Sequence, residues 1–257
     1  MSKKWRLIRL IETDGAMQMA IDEAILLNRS QNKVPNTLRF YTFQKPTISI
    51  GINQKIADFD FSAIKNKNFD LVRRITGGSA VLHYHDFTYA IIVSENDVPN
   101  QVEDAYRYLG GGLLTGLKLL NISAVFAQTA ARGKGGICYL NFHPYDIVVN
   151  KQKISGNAQT RLKGVVLQHG TIICQNHLKE LAECFKEKID INDHQVTTLE
   201  QLQTKPIDFA EIEQKMIKGF SEYFKKEKIT FKESELTAAE KKLAKELYET
   251  KYKQKDN

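Results

Sequence analysis

The sequence predicts an α+β protein with a mixed or antiparallel sheet core and flanking helices. Two observations carry that reading. Short runs with strand-like alternation fill most of the first 175 residues, interrupted by helical periodicity at only a few places. From residue 177 onward the chain turns charged and helical, so helices weight the C-terminal portion.

Residues 5–11 (Trp-Arg-Leu-Ile-Arg-Leu-Ile) are rich in strand formers and read as a first strand, broken by Asp14-Gly15. Met17, Met19-Ala20, Ala24 and Leu26-Leu27 recur at near-helical spacing and predict a helix over 16–30. Strands follow at 37–42 and, after Pro46, at 47–51. A helix is expected at 61–68, then a short strand at 71–74 that enters a glycine turn, then strands at 81–83 and 88–93. Val102, Ala105, Tyr106, Leu109, Leu113, Leu117 and Leu120 mark the clearest amphipathic helix, over 101–120. Its Gly110-Gly111-Gly112 conflicts with helix propensity by about 1 kcal/mol per glycine, which implies close packing against another backbone. A polar loop over 128–136 precedes strands at 145–149 and 163–173, with a turn at 150–153. Helices are expected at 177–187, 208–227 and 237–250.

The 257 residues are read as one catalytic domain over 1–257 with a helical portion from about 177. At 42% hydrophobic and 26% charged the chain can bury a substantial core. No apolar run approaches the roughly 20 residues that span a bilayer, and no secretory signal follows the basic N-terminus, so no membrane association is expected. Three cysteines, with no C-x-x-C pair, argue against a disulfide framework and for a cytoplasmic setting. The net charge of +7, concentrated at Lys225-Lys226-Glu227-Lys228 and in the tail 251–255, gives either a solvated basic surface or a face that steers an acidic protein partner. No nucleic-acid recognition motif accompanies it, so nucleic acid is not an expected partner.

Three clusters carry chemistry. In the first, Arg73-Arg74-Ile75-Thr76-Gly77-Gly78-Ser79-Ala80-Val81-Leu82-His83, a strand enters and leaves a Gly-Gly turn where backbone amides can approach an anion. An ordinary β-turn flanked by two solvent arginines has the same pattern. The second, Lys153-Ile154-Ser155-Gly156-Asn157-Ala158-Gln159-Thr160-Arg161, reads as a polar loop closing over a site. The third, Leu167-Gln168-His169-Gly170-Thr171, places a polar His-Gly break inside an apolar strand, where a histidine is more often structural than catalytic. Cys174 and Cys184 lie in apolar runs and read as inert core thiols. Cys138 differs, because it follows Gly135-Gly136-Ile137 at the exit of a loop that substrate can reach. Lys153 can favour its thiolate if 140–153 forms a hairpin.

In this order the clusters resemble the lipoate–protein ligase and octanoyltransferase family, whose fold is shared with biotin–protein ligases. The resemblance rests on Arg-Phe-Tyr at 39–41, Arg-Arg-x-Thr-Gly-Gly at 73–78, Ala-Val-Leu-His at 80–83, Thr88-Tyr89, residues 153–161 and residues 167–171. It runs from about residue 5 to 175 and resumes near 236–252. It implies a biotin/lipoyl protein ligase-like catalytic domain. Cys138, at its spacing before Tyr145-Asp146-Ile147, is similar to the cysteine of the transferase branch, where ligases carry Arg-x-Asn-Asp in place of His143-Pro144-Tyr145-Asp146. Ser79, Tyr84 and Asn157 depart from the family's usual residues.

What the resemblance implies is an octanoyltransferase that takes an octanoyl or lipoyl group from acyl carrier protein, through a thioester on Cys138, to a lysine of a lipoyl domain. The acceptors would be the glycine cleavage H protein and 2-oxoacid dehydrogenase E2 subunits. Lys153 would favour the thiolate and relay the proton. Substrate contacts would come from Arg73, Arg74, Thr76, Gly77, Gly78, Ser79, His83, Gly156, Asn157, Gln159, His169 and Gly170. Val81, Leu82 and Ile154 are expected to line an acyl channel. No cofactor or metal is required in this reading. The alternatives are an ATP-dependent lipoate ligase, which would need ATP and Mg2+, and a non-catalytic acyl-binding homologue.

Overall fold

The structure, a computed structural model, describes residues 3–128, 136–191, 195–203 and 206–253. Most of the loop expected at 128–136 (residues 129–135) and Lys255 of the basic tail lie outside the described residues. In chain order the elements are β1 (Lys3–Thr13), α1 (Gly15–Ser30), β2 (Thr37–Phe43), β3 (Thr47–Ile50), α2 (Phe61–Asn66), β4 (Asp70–Arg73), β5 (Val81–His83), β6 (Asp86–Ser94) and α3 (Val102–Leu119). They continue through β7 (Val125–Phe126), β8 (Ile147–Val149), β9 (Gln152–Leu162), β10 (Val165–Ile173), α4 (Leu178–Ala182), α5 (Leu199–Leu202), α6 (Phe209–Phe224), β11 (Ile229–Glu233) and α7 (Ala238–Leu247).

An eight-stranded sheet runs β11-β1-β2-β6-β10-β9-β8-β7, and a three-stranded sheet runs β4-β3-β5. β1 is parallel to both β2 and β11 and β3 is parallel to β4, while the remaining pairs are antiparallel. The mixed sheet with flanking helices agrees with the α+β expectation. One face of the large sheet carries Leu38, Phe40, Phe87, Tyr89 and Ile91 against Leu109, Leu113 and Leu117 of α3 and Met216 and Phe220 of α6. The other face carries Ile8, Tyr41, Ala90, Ile92 and Leu167 against Ala20, Ala24 and Ile25 of α1 and Ala244 of α7. A third cluster joins the small sheet to Tyr139, Leu140, Leu178 and Leu181. Among the described residues no helix is long and apolar enough to cross a membrane.

The glycine conflict in α3 resolves as close helix packing. A Cβ on Gly219 of α6 would lie 2.3 Å from the Gly116 backbone nitrogen, and a Cβ on Gly112 would lie 2.3 Å from the Phe220 ring. Replacing Gly219 by alanine in a free helix would gain about 1 kcal/mol of propensity. Here the clash with backbone wins, and a net loss of about 1–3 kcal/mol is expected, read as a lower urea midpoint with unchanged m.

Four expectations change. Residues 153–161 form the central part of β9, paired to β10 along its length and to β8 at its start, instead of a loop over the site. Ser155, Gly156 and Asn157 have weak intrinsic strand preference, but all three pair with β10, and Ser155 also with β8, and that pairing outweighs propensity. The C-terminal portion contains β11, which returns to pair with the start of β1. The helix expected at 177–187 ends at Ala182, after which Phe185 forms a bridge to Phe59. Arg74 is not a solvent arginine: it is 4% exposed.

Candidate active site

Cys138 opens a 3-10 turn (Cys138–Leu140). Its N–H donates to Ala80 O at 2.9 Å, while Ala80 N–H donates to Gly136 O at 2.8 Å. The chain leaving the glycine turn thereby fixes the cysteine's backbone, and the Cys138 side chain stays partly exposed. Cys174 and Cys184 are buried. Burial pushes the Cys174 thiol well up and the Cys184 thiol to about 11, which suits inert core residues.

The turn between β8 and β9 brings Lys153 back to Cys138. Asn150 and Lys151 both adopt positive φ (49° and 67°), as a two-residue hairpin with the sheet's twist requires. Val149 pairs with Gln152 and Val148 with Lys153, but Ile147 pairs with Ser155, so one extra residue bulges from β9. Such a bulge redirects neighbouring side chains. Lys153 is fully buried. Its ammonium lies 4.0 Å from Cys138 Sγ and donates to Asp146 Oδ2 at 2.8 Å, Asn141 O at 2.9 Å and Cys138 O at 3.2 Å. Burial by itself lowers the lysine's pKa, but the Cys138 sulfur and the Asp146 carboxylate outweigh it, and the net direction is upward. Gly156 leaves the space these groups occupy, since a Cβ there would sit 3.0 Å from Lys153 Cε and 3.6 Å from Cys138 Sγ.

Cys138 opens into a narrow cleft lined also by Met19, Tyr41, Ser49, Arg74, Val81, His83, Thr88, Gly156, Asn157, Ala158, His169, Gly170 and Thr171. Val81 lines it as expected, whereas Leu82 packs into the core of the small sheet and Ile154 into the core under α3. Adjacent residues of a strand face opposite sides, so Val81 and Leu82 cannot share one channel wall. Met19 and Ala158 supply apolar wall in their place.

Two buried polar chains brace the cleft. His83 Nε2 lies 2.9 Å from Ser49 Oγ and its Nδ1 2.6 Å from Asp86 Oδ2, with the ring stacked on Phe43. His169 Nε2 lies 2.7 Å from Thr76 Oγ1 and its Nδ1 3.2 Å from Asp22 Oδ2. Arg39 pairs with Asp22 at 2.8 Å and Arg74 donates from Nε to Thr76 Oγ1 at 3.1 Å, so one chain of bonds joins α1, β2, β10 and the glycine turn. Burial lowers the His169 pKa despite Asp22, so the folded state disfavours the imidazolium more than the unfolded chain does. An unfolded chain, whose histidine titrates near about pH 6.5, then binds the proton more readily than the folded one. Stability from this group is present above that pH and is lost as pH falls below it. A melting temperature measured against pH is expected to fall on acidification, with a shallower slope in His169→Gln.

Seven expected residues therefore line one cleft: Arg74, His83, Cys138, Gly156, Asn157, His169 and Gly170. Thr76 joins through His169 and Lys153 through Cys138. Arg73 instead donates to the carbonyls of Gly51, Ile52 and Gln54, and Arg74 to those of Ser49, Gly77 and Ser79, on either side of Gly78. Gln159 donates to Gln168 Oε1, and Gln168 Nε2 in turn donates to Tyr89 Oη and the Tyr106 carbonyl, outside the cleft lining. Sequence reading overlooked Ser49, Asp22, Asp86 and Asp146 as members of the site. Asp86, three residues after His83, carried a legible signal, as did Asp146, which appeared only as a spacing marker for Cys138.

The family described as the lipoyl protein ligase A/B catalytic domain matches residues 14–221. The octanoyltransferase LipM of Brevibacillus brevis is 36% identical over 97% of this chain and 96% of its own length. That of Clostridioides difficile is 35% identical over 98% and 97%. Among solved structures, a lipoate-protein ligase A bound with ATP superposes with a TM-score of 0.81 at 27% identity, covering 99% of this chain and 97% of that one. A bipartite lipoate protein ligase of Thermoplasma acidophilum, studied with its E2 lipoyl domain, gives 0.76 at 25% identity, over 98% and 95%.

Proposed function

The chain belongs to the lipoyl protein ligase A/B catalytic domain family, and from that premise we propose how its own residues move an acyl group. It is an octanoyltransferase of protein lipoylation, acting on lipoyl-domain proteins. The donor in this reading is octanoyl-acyl carrier protein, and the acceptors are a lysine of the glycine cleavage H protein or of 2-oxoacid dehydrogenase E2 subunits. Neither ATP nor Mg2+ is consumed, because the donor thioester already carries the activation. The supporting observation is a partly exposed thiol 4.0 Å from a buried ammonium, at the edge of a cleft walled by Met19, Val81 and Ala158.

The Cys138 thiolate attacks the donor carbonyl, a new C–S bond forms, and the donor sulfur leaves as a thiolate that takes a proton from water. The uncharged amine of the acceptor lysine then attacks the enzyme thioester. An amide C–N bond forms, Cys138 sulfur leaves as thiolate, and the amine's surplus proton passes to water. Lys153 stabilises the sulfur's charge at both ends of the cycle. Backbone amides near Gly77-Gly78 or Gly156 stand in for an oxyanion hole in the two tetrahedral intermediates, His83 and His169 with Arg74 hold the cleft's shape, and Met19, Val81 and Ala158 line the acyl chain. Arg73, Ser79, Asn157, Gln159 and Gly170 support the loop and strands that frame it. The basic net charge assists encounter with acidic carrier and lipoyl domains.

The test is intact-protein mass spectrometry of the enzyme mixed with octanoyl-acyl carrier protein alone, then with a lipoyl domain, both without ATP. The expected result is one octanoyl group on Cys138 that is chased to the lipoyl domain. Transfer that occurs only from free octanoate or lipoate with ATP would overturn the reading.

A further inference from the structure

Asp146 takes no part in the bond-making assigned to Cys138, yet it is the counter-ion of Lys153, and both side chains are almost fully buried, at 1% and 0% exposed. Four hydrogen bonds to its Oδ2 and backbone hold Asp146 still. Its Oδ2 accepts the His143 N–H at 2.8 Å as well as the Lys153 ammonium at 2.8 Å. Its own N–H donates to His143 O at 2.9 Å, and its carbonyl accepts from Ala127 N–H at 2.8 Å. Its Oδ1 is buried with no hydrogen-bond partner among the described residues.

We propose that Asp146 is a positioning residue that keeps Lys153 a permanent ammonium, so that the lysine acts on the Cys138 sulfur as a fixed cation and not as a proton carrier. The proposal rests on Cys138 being the acyl carrier. The ammonium has three N–H donors, and three oxygens receive them: Asp146 Oδ2, Asn141 O and Cys138 O. A neutral amine has two donors and a lone pair. Losing the proton would aim that lone pair at an acceptor oxygen and leave a buried carboxylate without its counter-charge, an arrangement that folded proteins avoid. Among the described residues, the charged or titratable groups facing the lysine are Cys138 from the 3-10 turn and Tyr145 and Asp146 from the approach to β8; Arg74 lines the same cleft as Cys138. The Phe142 ring lies 5.9 Å from the ammonium, and Val196 bridges the Lys153 backbone without adding a charge. The upward direction of the lysine's titration agrees with this geometry.

The consequence for the cycle is a division of labour. The cation stays in place while the sulfur gains charge, loses it to the acyl group and regains it, and the protons travel through water to the donor sulfur and from the acceptor amine. A lysine that shuttled protons would have to give up one of its three hydrogen bonds, and the charge that balances Asp146, in each turnover.

The experiment titrates the wild-type enzyme, with Lys153 identified by its loss in Lys153→Met, through the carbon-13 shift of the lysine ε-carbon. Lys153 is expected to stay protonated past about pH 10.4, the ordinary lysine value, and a midpoint below that value overturns the proposal. In parallel, the rate of octanoyl loading onto Cys138 is measured against pH in wild type, Asp146→Asn and Asp146→Glu. The alkaline limb is expected to move down by about 1–3 pH units in the asparagine variant and to return part of the way in the glutamate variant. An asparagine variant with a wild-type limb overturns it equally. If wild type never carries octanoate on Cys138, the thioester reading falls, and the Lys153 titration still decides the role of Asp146.

Discussion

Replacing Cys138 by alanine is expected to lower octanoyl transfer by about four orders of magnitude or more, the loss seen when a covalent nucleophile is deleted and only binding remains. The substitution removes a partly exposed sulfur at the cleft wall and leaves the turn's backbone bonds to Ala80 intact. Stability is therefore expected to change by less than about 1 kcal/mol, and the lipoyl domain is expected to bind as before. The measurement is single-turnover transfer from octanoyl-acyl carrier protein, with thermal unfolding as the control. Residual transfer within tenfold of wild type would show that the acyl group never rests on this sulfur.

Lys153→Ala has the second largest expected effect, and it acts on two quantities at once. Removing the cation that faces the sulfur is expected to slow acyl-enzyme formation by about 10²–10³, the usual loss when one preorganised electrostatic group is deleted. Removing the partner of Asp146 also strands a carboxylate that is 1% exposed, and breaking a buried pair in this way costs about 3–5 kcal/mol. The double replacement Lys153→Met with Asp146→Leu separates the two effects. It removes both charges, so stability is expected to recover most of the loss, while transfer stays at the single variant's level. Unfolding by urea and loading of Cys138 followed by mass spectrometry read the two quantities independently. A double variant that recovered activity along with stability would mean that Lys153 serves only the fold.

The chemistry-bearing residues were legible in the sequence because reactive groups sit in recognisable local contexts. The Cys138 thiol follows a glycine pair, His83 leaves a strand after Gly-Gly, and His169 interrupts an apolar strand. The face of α3 was legible from its period, and its three glycines correctly announced a close neighbour, later seen as Gly219 and Phe220 of α6. The segment 153–161 was misread as a loop because its small polar residues lack strand propensity. Its conformation is imposed by β10 on one side and β8 on the other, partners that no local window contains. β11 went unread for the same reason, since only its parallel pairing with β1, more than two hundred residues earlier in the chain, makes five residues a strand.

By itself the sequence determined which reactive side chains the chain carries, and the helical and strand faces that bury the core, since both depend on residue type and short-range period. Only the tertiary structure decided which of those side chains meet. The one-residue bulge in β9 and the two-residue turn at Asn150-Lys151 bring Lys153 within 4.0 Å of Cys138 and 2.8 Å of Asp146. The pairing of β10 with β9 places His169 against Thr76 and sends Gln159 to the opposite side of the sheet. Register and bulges arise from hydrogen bonding and packing between strands distant in sequence. Distances of that kind, unlike residue identity, exist only once the sheet has formed.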